Sequence, residues 1–312
     1  MNRILFISLF LLLLGCNAFE LPKPTPPDYY EGISLLGDYL VPDTTNLEIR
    51  NELVTQVNEI FARNRDSLSI DDYIWSGRRV AYEGAFQSAI AIYTDGINVY
   101  RNVPHFYRHR GHRYITLRKF DEAIKDLANG ALLIEGTEDE IEPDGLPNAE
   151  NKPRSTLHTN MYYHLGLALY LTGDFEGAAD AYKKCLDAST NDDMLVAALY
   201  WYYMSLRRIG NDQEAGALLA DIKEEMDIIE NYTYHNLLLV FKGVFSERDV
   251  LDEDEDLATN PTLGYGLANW HYINGRTERA QEMWQRIYDT GINTGGWASF
   301  GFIASEAELA NK

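Results

Sequence analysis

The chain has 312 residues, of which 46% are hydrophobic and 12% aromatic, and its formal net charge is -21. That length accommodates one solenoid or two small domains, and the apolar fraction is that of an ordinary globular chain. Such acidity disfavours general affinity for nucleic acid or anionic lipid, so neither is expected as a partner.

The first fifteen residues stand apart from the fold. Arg3 gives a short basic start, and Ile4 to Leu14 is apolar except for Ser8. This run is too short to span a bilayer as a stable anchor. It ends Leu13-Leu14-Gly15-Cys16. The segment resembles a bacterial lipoprotein signal peptide, which implies removal of residues 1–15 and acylation of Cys16. The resemblance also implies a membrane-anchored place in the bacterial cell envelope, at the outer membrane or periplasmic face rather than the inner membrane. An ordinary secretory signal with an incidental cysteine is the alternative. With Cys16 lipidated, Cys185 has no partner for an intramolecular disulfide. Cys185 reads as a small hydrophobe inside a helical repeat.

Residues 16–27 contain Pro22, Pro24, Pro26 and Pro27, the composition of an extended, semi-rigid tether. Residues 28–69 begin with mixed sequence around Tyr29, Tyr30 and Tyr39. A helix over 46–65 follows, with Leu53, Val57, Ile60 and Phe61 on one face. It is placed to cap the N-terminal end of what comes next.

From residue 70 the chain repeats. Gly77, Phe86 and Ala89 recur as Gly111, Phe120 and Ala123, each 34 positions on. Unit one spans 70–103, with helices near 71–83 and 86–100, and unit two spans 104–135. Unit three opens near 158: Gly166, Gly173, Phe175, Ala178, Tyr182 and Cys185 keep the spacings of Gly77, Gly84, Phe86, Ala89, Tyr93 and Gly96. Between units two and three, 21 residues exceed the period, an insertion at 136–156. Unit four keeps Gly210 and Ala215 but has Asp212 in place of the aromatic. Residues 231–257 hold a degenerate pair, and the last unit has Gly275, Ala280, Trp284 and Ile287. Residues 291–312 suit a terminal helix carrying Trp297, Phe300, Ile303, Ala304 and Ala307.

A 34-residue period with small and aromatic residues at these positions resembles the tetratricopeptide repeat (TPR) family over about 70–290. The resemblance implies an all-α fold: an α-solenoid of stacked antiparallel helix pairs with N- and C-terminal capping helices. It also implies a concave groove lined by the first helix of each unit. Laid onto this chain, that groove presents Arg78 and Tyr82; His105, Arg108 and His112; Asn160, Tyr163 and Tyr170. Further along it presents Tyr200, Arg207 and Arg208, then Tyr265, Asn269 and Tyr272.

The expected function is a membrane-anchored scaffold or adaptor that binds a protein segment or anionic ligand in this basic and aromatic groove. Arginine forks suit carboxylates. In clamp-type relatives, basic and Asn groove residues hold a peptide's C-terminal carboxylate, a pattern not reproduced closely here. An envelope protein that binds saccharide or another small molecule is one alternative, since aromatic grooves also stack on sugar rings. An enzyme or metal-binding protein using the His/Arg cluster of 105–113 is another. His105, His109 and His112 share one helical face, but Arg108, Arg110 and Arg113 among them oppose a cation. No cofactor and no metal is expected, and no nucleophile-elbow, phosphate-loop or zinc-protease motif is present. The insertion carries Glu138, Asp139, Glu140, Glu142 and Asp144. It is either a solvated excursion or a lid whose acids meet the basic groove. The run 251–256 reads as a solvated acidic loop.

Overall fold

A computed structural model describes residues 27, 29–42, 47–64, 67–143, 145, 147–251 and 256–311. The leader segment, Cys16 and nearly all of the tether lie outside the described residues. The described chain is almost entirely helical and begins with a short antiparallel pair, β1 (Gly32–Ile33) and β2 (Tyr39–Leu40). Thirteen α-helices follow among the described residues. The first is α1 (Leu47–Asn64), then α2 (Ile70–Tyr82) with α3 (Phe86–Val99), and α4 (Pro104–Thr116) with α5 (Phe120–Ile134). Next come α6 (Leu157–Leu171) with α7 (Phe175–Ala188), and α8 (Asp192–Arg208) with the short α9 (Asp212–Leu218). The degenerate pair is α10 (Tyr232–Lys242) and a 3-10 turn, Glu247–Val250. The chain ends with α11 (Pro261–Ile273), α12 (Thr277–Thr294) and α13 (Phe300–Ala310).

Local sequence starts these helices. Ser69 caps α2 by accepting from the Asp72 amide at 3.2 Å, while Asp72 accepts from the Ser69 amide at 2.8 Å. Asn191 caps α8 and Pro104 opens α4. Within each pair the repeated glycine explains the close approach. A Cβ on Gly77 would lie 2.4 Å from Tyr93, on Gly111 2.6 Å from Leu127, and on Gly166 2.8 Å from Tyr182. One glycine on the first helix thus receives one large side chain from the second, three times over. The fold is therefore the tetratricopeptide-type α-solenoid that the period implies. α9 is the shortest second helix, in the unit where Asp212 replaces the phenylalanine that starts the second helix of units one to three.

The turn inside each pair needs a left-handed residue. Gly84, Gly173, Gly210 and Gly275 supply it, with φ of 76, 83, 76 and 80. Unit two departs from this rule, because Arg118 occupies the position with φ 60. A non-glycine residue there costs about 1–2 kcal/mol. The side chain shows what the position is used for. Arg118 is buried and donates from Nη2 to Glu306 Oε2 at 2.6 Å and to the Trp297 carbonyl at 2.9 Å. Glu306 on α13 is fully buried and also accepts from the Leu35 amide at 2.5 Å.

α13 caps the last pair and also lies across the inner side of the solenoid. Its Phe300 ring centroid is 5.2 Å from His112 of α4 and 5.7 Å from His164 of α6. Its Glu308 pairs with Arg208 of α8 at 2.5 Å. The β1–β2 segment then closes over this end: Ser34 Oγ and Asp38 meet the Tyr288 hydroxyl at 2.8 and 2.5 Å, and Trp297 Nε1 donates to the Val41 carbonyl at 2.6 Å. The first and last parts of the described chain are thereby joined.

Removing one partner of a buried ion pair strands the other charge and costs about 3–5 kcal/mol. Arg118→Ala should lower stability by that order in chemical denaturation. Arg118→Ala with Glu306→Leu should recover most of it, because no buried charge is then left alone.

Candidate functional site

The inner side of the solenoid divides into two regions. Near units one to three it is basic and covered by the insertion. Near α8, α11 and α13 it is aromatic and packed by the chain itself.

The basic region is built on three first helices. α4 contributes His105, Arg108, His109, His112 and Arg113; α2 contributes Arg78 and Tyr82; α6 contributes Asn160, Tyr163 and His164. The described residues of the insertion fold back over it. An isolated bridge, Ile141 to Thr156, ties the base of the insertion, with the Glu142 amide donating to the Ser155 carbonyl at 3.0 Å. This places Glu142 inward, 5% exposed. Its carboxylate lies 2.7 Å from Arg108 Nη2, accepts from Asn160 Nδ2, and stands 3.9 Å from His109 Nε2. Beside it, Arg78 donates to the Pro143 carbonyl at 2.8 Å, and its Nε donates to the Tyr82 hydroxyl at 3.1 Å. Glu140 pairs with His105 at 3.0 Å. Asp144 lies outside the described residues.

The seat is imperfectly filled. Arg108 Nε and Glu142 Oε1 are buried with no hydrogen-bond partner among the described residues. Arg113, stacked over Phe86 at 5.5 Å, has no acidic partner among them. Burial pulls its guanidinium down to about 10, and Arg108 and Arg78 nearby act in the same direction. The imidazoles feel the same environment. His109, His112 and His164 are held well below the ordinary histidine value, first by burial and then by the neighbouring arginines.

The three candidate metal ligands diverge. His105 turns to Glu140, His109 stacks on Tyr93 at 5.5 Å, and His112 packs 4.4 Å from His164. Among the described residues no group of three or more His, Cys, Asp or Glu side chains is placed to hold a metal. Cys185 is buried, and burial raises its thiol well above the usual range.

The remaining groove candidates are largely packed or paired within the protein, although Tyr170, Arg208 and Tyr272 also line a cavity beside α13. Tyr163 accepts from Trp201 Nε1 at 2.8 Å and meets the Tyr234 hydroxyl at 2.9 Å. Tyr170, Tyr200, Tyr265 and Asn269 are buried, with Tyr265 donating to Tyr170 at 2.9 Å and Tyr200 packed edge-on against Trp201. Asn269 accepts from Arg208 at 3.1 Å. Arg207 pairs with Asp212 at 2.6 Å and donates to the Tyr203 hydroxyl at 2.8 Å. Arg208 is held between the rings of Phe175 and Tyr272, 4.4 and 4.7 Å from their centroids. The repeat places these residues on the first helix of each pair. It does not say that α13 later packs beside them.

Two pairing residues of this core, Glu306 and Glu308, carry no sequence motif. Arg118 does leave a signal, an arginine where units one and three have Gly84 and Gly173.

Residues 159–192, which hold α6 and α7, match the tetratricopeptide repeat family model. No curated protein matches the chain. Among solved structures, a tetratricopeptide repeat protein from Parabacteroides merdae is similar at 17% identity and TM-score 0.48, covering 88% of this chain and 98% of that one. YrrB, described as a TPR protein with an unusual peptide-binding site, is similar at 14% identity and TM-score 0.41, covering 75% and 91%. TPR-like repeats of a putative kinesin light chain from Podosopora anserina are similar at 13% identity and TM-score 0.40, covering 72% and 96%.

The histidines make the fold acid-sensitive with a definite sign. Their folded values lie below the unfolded value of 6.5, so the folded state resists protonation. Their contribution is complete above that value and is lost as pH falls below it. Thermal melts at stepped pH should show Tm falling below about pH 6.5, and His109→Gln with His164→Gln should flatten that fall.

Proposed function

We propose that the protein is an envelope-anchored scaffold whose channel receives an acidic segment of a partner protein, with residues 136–156 acting as its lid. Stacked helix pairs of this type form protein-interaction scaffolds, and the chain carries no catalytic motif that competes with that use. The observation that carries the finer reading is Glu142. The chain's own loop delivers one carboxylate into a seat formed by Arg108, His109 and Asn160. The lid therefore displays the chemistry that the seat selects.

Three features support exchange rather than permanent closure. Atoms on both sides of the Arg108–Glu142 pair stay unsatisfied. Arg113 adds a cation that the lid leaves without an acid among the described residues. The lid is long and fastened at its base, and Ile141 beside Glu142 is 65% exposed. An incoming acidic segment would replace Glu142, and Arg forks favour carboxylates through paired, directional donors.

Anisotropy with a labelled Glu-rich peptide tests this reading. Glu142→Ala should tighten binding about tenfold by emptying the seat, and Arg108→Ala should weaken it about tenfold. Equal affinity in both variants and the parent would remove the proposal.

The anchor is proposed on the leader alone. An apolar run ending in Leu13-Leu14-Gly15-Cys16 supports lipidation of Cys16. Cys16→Ser should move the protein from the membrane to the soluble fraction, read by immunoblot after ultracentrifugation. Unchanged fractionation argues against the anchor.

A further inference from the structure

A second cavity, of about 400 Å3, opens where α13 meets the α6–α7 turn and the α11–α12 pair. It lies away from the insertion and takes no part in the seat of Glu142. Small-molecule sites fall within about 300–1,000 Å3. The space exists because the residues facing it are small: Gly173 on the turn, and Ala304 and Ala307 on α13. Its apolar walls are the rings of Phe175, Tyr272 and Trp284.

Its polar groups decide the ligand class. Arg208 is the cationic group on the wall, and its charge is fully engaged. Its guanidinium lies against two rings, Phe175 at 4.4 Å and Tyr272 at 4.7 Å. Its edge donates to Glu308 at 2.5 and 3.1 Å and to Asn269 at 3.1 Å. Glu308 is matched in turn, so the pair offers no free charge to an anion or a cation. The remaining polar lining is uncharged: Thr172, Thr277, Gln281, Asn311, the Tyr170 and Tyr272 hydroxyls, and Trp284 Nε1, which is buried without a partner among the described residues.

A wholly apolar occupant would strand those neutral groups, at about 1–3 kcal/mol for each that becomes buried and unpaired. A charged occupant would find no partner. Pyranose rings meet both conditions, with C–H faces for aromatic walls and hydroxyl edges for Thr, Gln and Asn. We propose that this cavity binds a neutral saccharide of one or two rings. The locked Arg208–Glu308 pair gives a pre-organised wall, which lowers the ordering cost of binding. The site is independent of the acidic-segment channel, so either proposal can fail alone.

Isothermal titration of the detergent-solubilised full chain with glucose, galactose, maltose and cellobiose tests it, with glucuronate as the charged comparison. At least one neutral sugar should bind saturably. Ala304→Trp, which fills the cavity, should weaken it at least about tenfold, and Gln281→Ala about threefold, with helicity by circular dichroism unchanged. Arg108→Ala should bind sugar as the parent does. If Ala304→Trp loses helicity, Gln281→Ala decides. The proposal is overturned if no neutral sugar gives saturable heat at about 10 mM, a concentration that detects even millimolar affinity. It is equally overturned if glucuronate alone binds, or if the folded cavity variants bind as the parent does.

Discussion

The inner architecture depends on one buried ion pair, Arg118 with Glu306. The arginine sits on the turn of unit two and the glutamate on the final helix, 188 residues later in sequence. Their side chains are 2% and 0% exposed. Such a pair is weak evidence for net stability, since desolvating two charges costs about as much as their attraction returns. Its consequence is positional. A glutamate buried at that depth has low energy only where Arg118, and the Leu35 amide, can reach it. The pair therefore fixes where α13 lies, and α13 decides which inward-facing residues remain accessible.

The division of the inner side follows from that placement. Where α13 runs, Tyr170, Tyr200, Tyr265 and Asn269 become a packed aromatic and polar core, in which the Tyr265 hydroxyl donates to that of Tyr170. Where α13 stops, at Phe300 beside His112 and His164, the basic residues of α2 and α4 begin. The insertion covers this second region, but among the described residues it brings one buried carboxylate, Glu142, against several cations. The first region is packed by aromatic rings and a buried pair, except at the cavity beside Arg208 and Tyr272. The second is closed by a loop whose contacts leave donors and acceptors unmet.

This contrast bears on a chain of net charge -21. Within that acidic chain, Arg78, Arg108 and Arg113 gather on the inner faces of α2 and α4. A cation gathered where desolvation is substantial is costly unless an anion compensates it. Glu142 supplies part of that compensation. Arg113, whose guanidinium is drawn down to about 10, is left as the group most in need of the rest.

Much of this was legible in the sequence. The 34-residue period identified helix pairs, because a repeat must place the same small residue against the same large one in every unit. Gly77, Gly111 and Gly166 do so against Tyr93, Leu127 and Tyr182. The interruption at 136–156 and the place of Arg78, Arg108 and Asn160 on first helices followed from the same spacing. Periodicity reports only local neighbours, however. Whether Tyr265 lines a groove or fills a core depends on α13, whose contacts with α4 and α8 join residues far apart in sequence and have no period. The tertiary structure alone decided that closure. It likewise decided which acid of the insertion turns inward, since Glu138, Glu140 and Glu142 look alike until the Ile141–Thr156 bridge sets their facing.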